Sequence, residues 1–407
     1  MELLIKEIRM VDETQDILGD IYIKDGKIKS IGKNLNYNCK ILNGNGLVLM
    51  PSFIDLHVHF RDPGFTHKED LITGGLAALK GGYTFVNLMA NTLPICSNQE
   101  VLDYVLNKVN SLDLIDVHQS VSITEDFDGK TLNHLESLDS RVKVITDDGK
   151  GIKSNITMYN AFIKAKEKGL IVMVHAEDED LTPIDYRISE NIISFRDIYL
   201  STVTKSRLHL THVSTKETIN AIRMAKKSYE KLITCDVTPH HIALCDNSYR
   251  VNPPIREKED MNAIIQGIVD GTVDVIATDH APHTKEDKDK GSPGLVGLET
   301  AFSVAYTILV KGGYIDLKRL SQLLSGRGGE ILSLNKGKIK IGYDADLVLV
   351  DLDKKVIVDS NTFLSKGKNT PFEGMEFLGE VQVTIKGGEI KYISKTCNSK
   401  EDCNDNR

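Results

Sequence analysis

Residues 53–60 read FIDLHVHF, an apolar run that closes on two histidines one residue apart. On a strand, alternate side chains share a face, so His57 and His59 point the same way. The same construction recurs down the chain: YTFVNLMA at 83–90, VHQSVSIT at 117–124, VKVITDD at 142–148 and LIVMVHAED at 170–178. LHLTHVS at 208–214, LITCDVTPHH at 232–241 and VDVIATDHAP at 273–282 continue the series, with helix-like stretches between many of the runs. Strands alternating with helices imply a parallel sheet covered by helices. About eight such units predict an α/β fold with a (β/α)8 TIM-like barrel over 51–335, its active site at the strand C-terminal ends.

The two ends of the chain have another texture. DIYIKDGKIKSIG at 20–32 alternates around Asp25-Gly26, a hairpin signal. ADLVLVDLD at 345–353 and VQVTIKGGEIKYI at 381–393, turning at Gly387-Gly388, repeat that pattern. Residues 1–50 and 336–394 are therefore expected to build one small β-sandwich-like subdomain. Residues 395–407 are polar and expected to be disordered.

Bulk properties narrow the function. Hydrophobic residues make up 41% and charged residues 27%, as in an ordinary globular protein. The net charge of -8 is spread along the chain with no basic stripe, which argues against a nucleic-acid partner. No apolar run approaches the ~20 residues that span a bilayer, and the charged, alternating MELLIKEIRMVDE is unlike a signal peptide. The six cysteines are scattered, as in a reducing cytoplasm. A cytoplasmic location without membrane contact is the expectation.

Chemistry concentrates where the apolar runs stop. His175 ends LIVMV, His212 ends LHLT, Asp279 ends VDVIAT, and Asp148 follows VKVIT beside Asp147. With His57 and His59, these groups would converge on one pocket at the strand ends. Imidazole and carboxylate together suit Zn²⁺ or a related ion. His67, His118, His134 and His209 lack that placement and are expected at the surface or in packing. His240 and His241 end a strand and could support the site, while His280 is expected to face away from Asp279.

Taken together, DLHVHFRDPG, ITDDGKGI, VHAED, THVSTKE, VTPHH, NPPIR, ATDHAPH, GLETAF and KNTPFEG resemble the dihydroorotases, in particular the bacterial type I enzymes of the amidohydrolase superfamily. The resemblance implies a reversible cyclisation of N-carbamoyl-L-aspartate to L-dihydroorotate in de novo pyrimidine biosynthesis. It assigns His57, His59, Asp148 and Asp279 to a buried zinc ion, with Asp148 bridging to a second ion held by His175 and His212. It also implies a metal-activated hydroxide, with Asp279 as general base and then acid. Where related enzymes bridge their metals with a carbamylated lysine, Lys143, Lys150 and Lys153 are the nearby alternatives to Asp148.

A carboxylate-bearing substrate needs a cation, and Arg61, two residues past His59, is expected on the same strand face. The resemblance adds His59, Asn91 and His283 to that grip and places Asn252, Pro293 and Gly294 around the ring. It further implies a homodimer and leaves an association with aspartate transcarbamoylase open. The competing readings are a hydantoinase, dihydropyrimidinase or allantoinase, and a catalytically silent scaffold. The sequence departs from the family pattern in a short segment at 181–200, in Ala90 for a usual Pro, and in Asp62 for a usual Glu. HTKEDKDKGSPG at 283–294 reads equally as a mobile active-site segment or a solvated loop.

Overall fold

The structure, a computed structural model, describes residues 2–44 and 46–397. Five strands open the chain: Glu2–Val11 (β1), Asp16–Lys24 (β2), Lys27–Gly32 (β3), Lys40–Asn43 (β4) and Val48–Pro51 (β5). The middle then alternates as expected: Phe53–Val58 (β6), Leu71–Lys80 (α1), Tyr83–Leu88 (β7), Gln99–Leu112 (α2) and Asp116–Gln119 (β8). Val144–Ile145 (β9), Asn155–Lys168 (α3), Ile171–Val174 (β10), Tyr186–Thr204 (α4), Arg207–Leu210 (β11) and Lys216–Tyr229 (α5) follow. Next come Ile233–Val237 (β12), Pro239–Ala243 (α6), Lys258–Val269 (α7), Val275–Ile276 (β13) and Lys285–Asp289 (α8). After helical turns within 301–331, Leu347–Ile357 (β14), Glu376–Lys386 (β15) and Glu389–Ile393 (β16) close the described chain.

All eight central strands pair in parallel, in two groups: β6-β7-β8, and β9-β10-β11-β12-β13. Between the groups the ladder thins to single bridges, Val121 with Ile145 and Val58 with His280. At both seams a buried carboxylate stands in for ladder bonds. Asp147 accepts the N–H groups of Ile123 and Thr124 at 2.7 and 3.1 Å, and Asp55 accepts that of Thr278 at 3.2 Å. Burial pushes both carboxyls up to about 6, against the hydrogen bonds that favour their ionised forms.

Helix ends follow local chemistry. Asp70 caps α1 through Ile72 N–H and Thr73 N–H, and Thr215 caps α5 through Thr218 N–H. Gly169 ends α3 in the left-handed conformation. Phe53, Tyr83 and Phe162 are fully buried in the main apolar core, which the helices cover. Among the described residues no helix is long and apolar enough to cross a membrane.

Strands from both ends share one eight-stranded sheet, ordered β16-β15-β14-β5-β1-β2-β3 with β4 on β1. The Asp25-Gly26 turn joins β2 to β3 as expected, with φ of 52° and 71°. The sheet forks at β1, whose first half pairs β4 and whose second half pairs β5, on either side of a register shift between Ile5 and Ile8. Leu3, Ile5, Leu49, Leu347 and Val383 form a separate core there. Cys397 packs in the same core, while residues 398–407 of the expected tail lie outside the described residues.

A candidate metal centre and substrate pocket

His57 lies in β6 and is 1% exposed; His59, Asp148, His175, His212 and Asp279, all buried, follow the ends of β6, β9, β10, β11 and β13. Their ligand atoms converge. His57 Nε2 is 3.2 Å from Asp148 Oδ1 and 3.6 Å from Asp279 Oδ1. His59 Nε2 is 3.1 Å from Asp279 Oδ1 and 3.5 Å from Asp148 Oδ2. On the other side of Asp148, His175 Nδ1 is 3.6 Å and His212 Nε2 4.0 Å from Oδ1, and the two imidazoles approach to 2.8 Å.

This set fits divalent metal. With ligand bonds of about 2.0–2.1 Å, neighbouring ligands of a tetrahedral site sit about 3.3 Å apart, a value that the first four separations bracket. Both ring nitrogens of His57 and Asp148 Oδ1 are buried without a hydrogen-bond partner, a costly arrangement unless a further group binds them. His57, His59 and Asp279 form one cluster of potential ligands, and His57, Asp148 and His212 form another.

Electrostatics agree. Burial alone would lower the His57 pKa, yet Asp148 and Asp279 beside it carry it up to about 10. Burial would raise Asp148, but His57, His59 and His175 hold it well below the usual carboxylate range. The two carboxylates thus create a strong local demand for positive charge. Burial and the neighbouring His175 and His57 drive His212 well below the ordinary imidazole value, so it stays neutral.

Backbone strain gathers at the same place. His212 and Asp279 have φ of 37° and 49°, and Arg61 has φ of 60°, positions unusual for residues with a side chain. Arg61 therefore departs from the strand alternation expected of it: β6 ends at Val58, and a left-handed turn delivers the guanidinium. It still faces the pocket, with Nη2 3.3 Å from His283 Nε2 and Nε donating to the Pro282 carbonyl at 3.4 Å.

Outer partners fix the candidate ligands. Asn91 Oδ1 lies 2.9 Å from His59 Nδ1, so the proton on Nδ1 leaves Nε2 facing Asp279. His175 Nε2 lies 2.8 Å from Glu177 Oε2, which also accepts from Tyr186 O–H at 3.0 Å. Asp236 accepts the backbone N–H of His212 at 2.7 Å and contacts His209 Nε2 at 2.9 Å. Sequence reasoning passed over Glu177 and Asp236; the available signal was a carboxylate two residues past His175 and another inside the apolar strand β12. Lys143, Lys150 and Lys153 bond instead to Leu332 O, Phe127 O and Asp180, leaving Asp148 between the histidines.

His59, Asp148, His175, His212 and Asp279 line a pocket of about 210 Å³ together with Arg61, Asn91, Asn252, His283, Pro293 and Gly294. His283 is held down to about 3 by burial and by Arg61 and Lys68, so its ring is neutral and can accept from Arg61. The 283–294 segment is built rather than loose: Thr284 and Asp287 form a capping box on α8. Lys288 Nζ donates to the carbonyls of Arg250, Ser292 and Gly294 at 2.9–3.0 Å.

The remaining histidines lie outside this pocket. His280 is buried away from it, with Nδ1 accepting Gly297 N–H at 3.2 Å and Nε2 3.5 Å from Glu69. His241 Nδ1 contacts Thr238 Oγ1, and Nε2 lies 3.2 Å from Pro253 O in the loop that carries Asn252. His240 is buried, His118 and His209 are packed between strands, His134 bonds Ser122 and His67 is exposed.

Comparison with known proteins follows the same outline. The amidohydrolase family profile matches residues 48–391. A dihydroorotase from Clostridium botulinum is 55% identical over 397 residues, covering 96% of this chain and all of that protein. The dihydroorotase of Bacillus subtilis is 37% identical, covering 96% and 98%. In fold the chain is similar to an L-hydantoinase (dihydropyrimidinase) from Arthrobacter aurescens, with TM-score 0.87, 23% identity and 95% of each chain covered. The dihydropyrimidinase of Brevibacillus agri gives TM-score 0.88 at 22% identity, covering 98% and 97%. At those identities the two structures speak to architecture, whereas the 55% relative spans the site as well: the chain belongs to the amidohydrolase family and, within it, to the dihydroorotases.

Proposed function

We propose that this enzyme cyclises N-carbamoyl-L-aspartate reversibly to L-dihydroorotate for pyrimidine synthesis, using the pocket above β6–β13. One observation carries the reading: a single cavity brings Arg61, a carboxylate-binding cation, to the same space as the His and Asp cluster. Zinc is the proposed metal, one or two ions, held by His57, His59, Asp148 and Asp279 with Asp148 shared toward His175 and His212. Such an ion supplies Lewis acidity, polarising a carbonyl and acidifying a water near neutral pH.

The chain's own groups do the rest. Asp279, whose Oδ1 touches His59 Nε2 at 3.1 Å, takes the proton of the attacking water and returns it to the leaving ring nitrogen. In the synthetic direction it accepts the proton of the carbamoyl nitrogen as the ring closes. Arg61 grips the substrate carboxylate, with His59, Asn91 and neutral His283 beside it. Asn252 and the Pro293-Gly294 backbone bound the ring, and the Lys288 contacts hold that edge in place.

The two parallel sheets are proposed to form one (β/α)8 barrel over 51–335, closed through the Val58–His280 and Val121–Ile145 bridges. Residues 1–50 and 336–394 form the β subdomain in this proposal, which also takes in Cys397. A cytoplasmic homodimer that associates with aspartate transcarbamoylase completes the reading. Metal-dependent formation of dihydroorotate from N-carbamoyl-L-aspartate by chelated and then zinc-reloaded protein tests it. No turnover in the reloaded protein overturns it.

A further inference from the structure

Helix α4 is inverted relative to an ordinary surface helix. Six of its seven buried positions are polar, among them Glu190, Asp197 and Ser201. Its exposed positions are Ile188, Ile192, Phe195, Tyr199 and Val203, every one apolar, and Tyr199 is 66% exposed. Ile184, just before the helix, is 76% exposed. The inward polar face is spoken for: Glu190 accepts the N–H groups of Ser214 and Thr215 at 3.0 and 3.1 Å and pairs with Arg256. The helix's arginines also turn inward, Arg187 onto Asp260 and Arg196 onto Asp197. What faces outward is an uncharged apolar stripe four turns long.

We propose that this stripe is the self-association face of the protein, covered by α4 of a second copy running antiparallel. The inference rests on the self-association proposed above and names the surface that makes it. The stripe is self-complementary, as a two-fold interface requires. Its spacing of four, three, four and four residues is nearly the same read from either end, about a centre beside Phe195. In an antiparallel pair, Ile188 of one copy meets Val203 of the other and Ile192 meets Tyr199, while the two Phe195 rings meet near the axis. The mean spacing of 3.75 residues, close to the ~3.6 of an α-helix, keeps the five side chains on one face.

The area is also sufficient. Ile184 and the five helix residues expose about 600–700 Å² per copy, so two copies bury up to about 1,300 Å² from these side chains, at the lower end of the range of about 1,200–2,000 Å² for specific interfaces. An exposed apolar patch of that size is uncommon on a monomer. A different protein would need to match an uncharged, pseudo-symmetric stripe that a second copy matches by construction. The helix also links this face to the site, since Tyr186 at its first turn bonds Glu177, the partner of His175.

Sedimentation equilibrium of the full chain tests the assignment, with Phe195→Glu, Tyr199→Glu and, as control, Met224→Glu at an exposed apolar site on α5. The wild type is expected at twice the 45.2 kDa of one chain. Each α4 variant is expected to weaken association about 100-fold or more, the scale of an unpaired charge buried at an interface, while Met224→Glu stays dimeric. A monomeric wild type overturns the self-association itself and leaves α4 to a different partner. A dimeric wild type with dimeric α4 variants overturns only the choice of face. Independently of those variants, Phe195→Cys is expected to give a covalent dimer with a short bismaleimide above the wild-type background; crosslinking at background level overturns the face.

Discussion

His175 presents its two ring nitrogens to different masters: Nε2 meets Glu177 at 2.8 Å, and Nδ1 faces His212 and Asp148 inside the site. Because Glu177 also holds Tyr186 and Thr182, the ring orientation is set by a network outside the ligand cluster. Outer partners of this kind typically contribute about 10–100-fold in metal affinity. Glu177→Ala is therefore expected to lose metal to a competing chelator at about that ratio, and an unchanged metal affinity would remove Glu177 from this role.

Asp279→Asn tests proton transfer. The amide keeps a side chain of the same size beside His59 but cannot accept and return a proton. Turnover is expected to fall by about 10²–10⁴-fold, the scale of general acid–base catalysis, with much of the bound metal retained. Turnover within a few-fold of wild type contradicts the assignment.

Arg61→Met tests selectivity. Losing a hydrogen-bonded charge pair costs about 1.5–3 kcal/mol, so kcat/KM for L-dihydroorotate is expected to drop about 10–100-fold, chiefly in KM. Hydrolysis of an uncharged cyclic amide is expected to change far less. Equal losses on both substrates would mean that Arg61 supports the pocket rather than the carboxylate.

A pH effect on stability follows from His118, which is buried with Nε2 accepting Lys143 N–H at 2.8 Å and Nδ1 2.6 Å from Asn87 Oδ1. Burial, reinforced by Lys143, lowers its pKa to about 3, against about 6.5 in an unfolded chain. Between those values the unfolded chain binds one more proton, so stability falls as pH falls, by up to about 1.4 kcal/mol per unit. His118→Gln is expected to flatten that slope in urea unfolding of the zinc-loaded protein between about pH 7 and 5. An unchanged slope contradicts the neutral, buried assignment.

Much of this was legible in the sequence. The central strands read correctly because buried parallel strands are short apolar runs, and the candidate ligands could be picked out because His57 closes such a run and the others follow one. Arg61 reached the pocket for a reason the pattern did not contain, a left-handed turn after Val58 that strand alternation cannot register. Asn91, expected at the substrate carboxylate, lines the pocket and also bonds His59 Nδ1, a tertiary contact between two loops with no sequence periodicity. Glu177 and Asp236 escaped notice for the same reason. The thinning of the ladder at β9 and β13 was hidden too, because Asp55 and Asp147 replace backbone bonds with side-chain ones.

The central claim is that one pocket joins a metal site to a carboxylate grip, and substrate discrimination tests it most directly. Zinc-loaded and chelated protein would be compared on L-dihydroorotate, dihydrouracil, hydantoin and allantoin. The account requires turnover of dihydroorotate alone, abolished by chelation and restored by zinc. Preference for an uncharged ring would contradict it and move the enzyme to the hydantoinase side of its family.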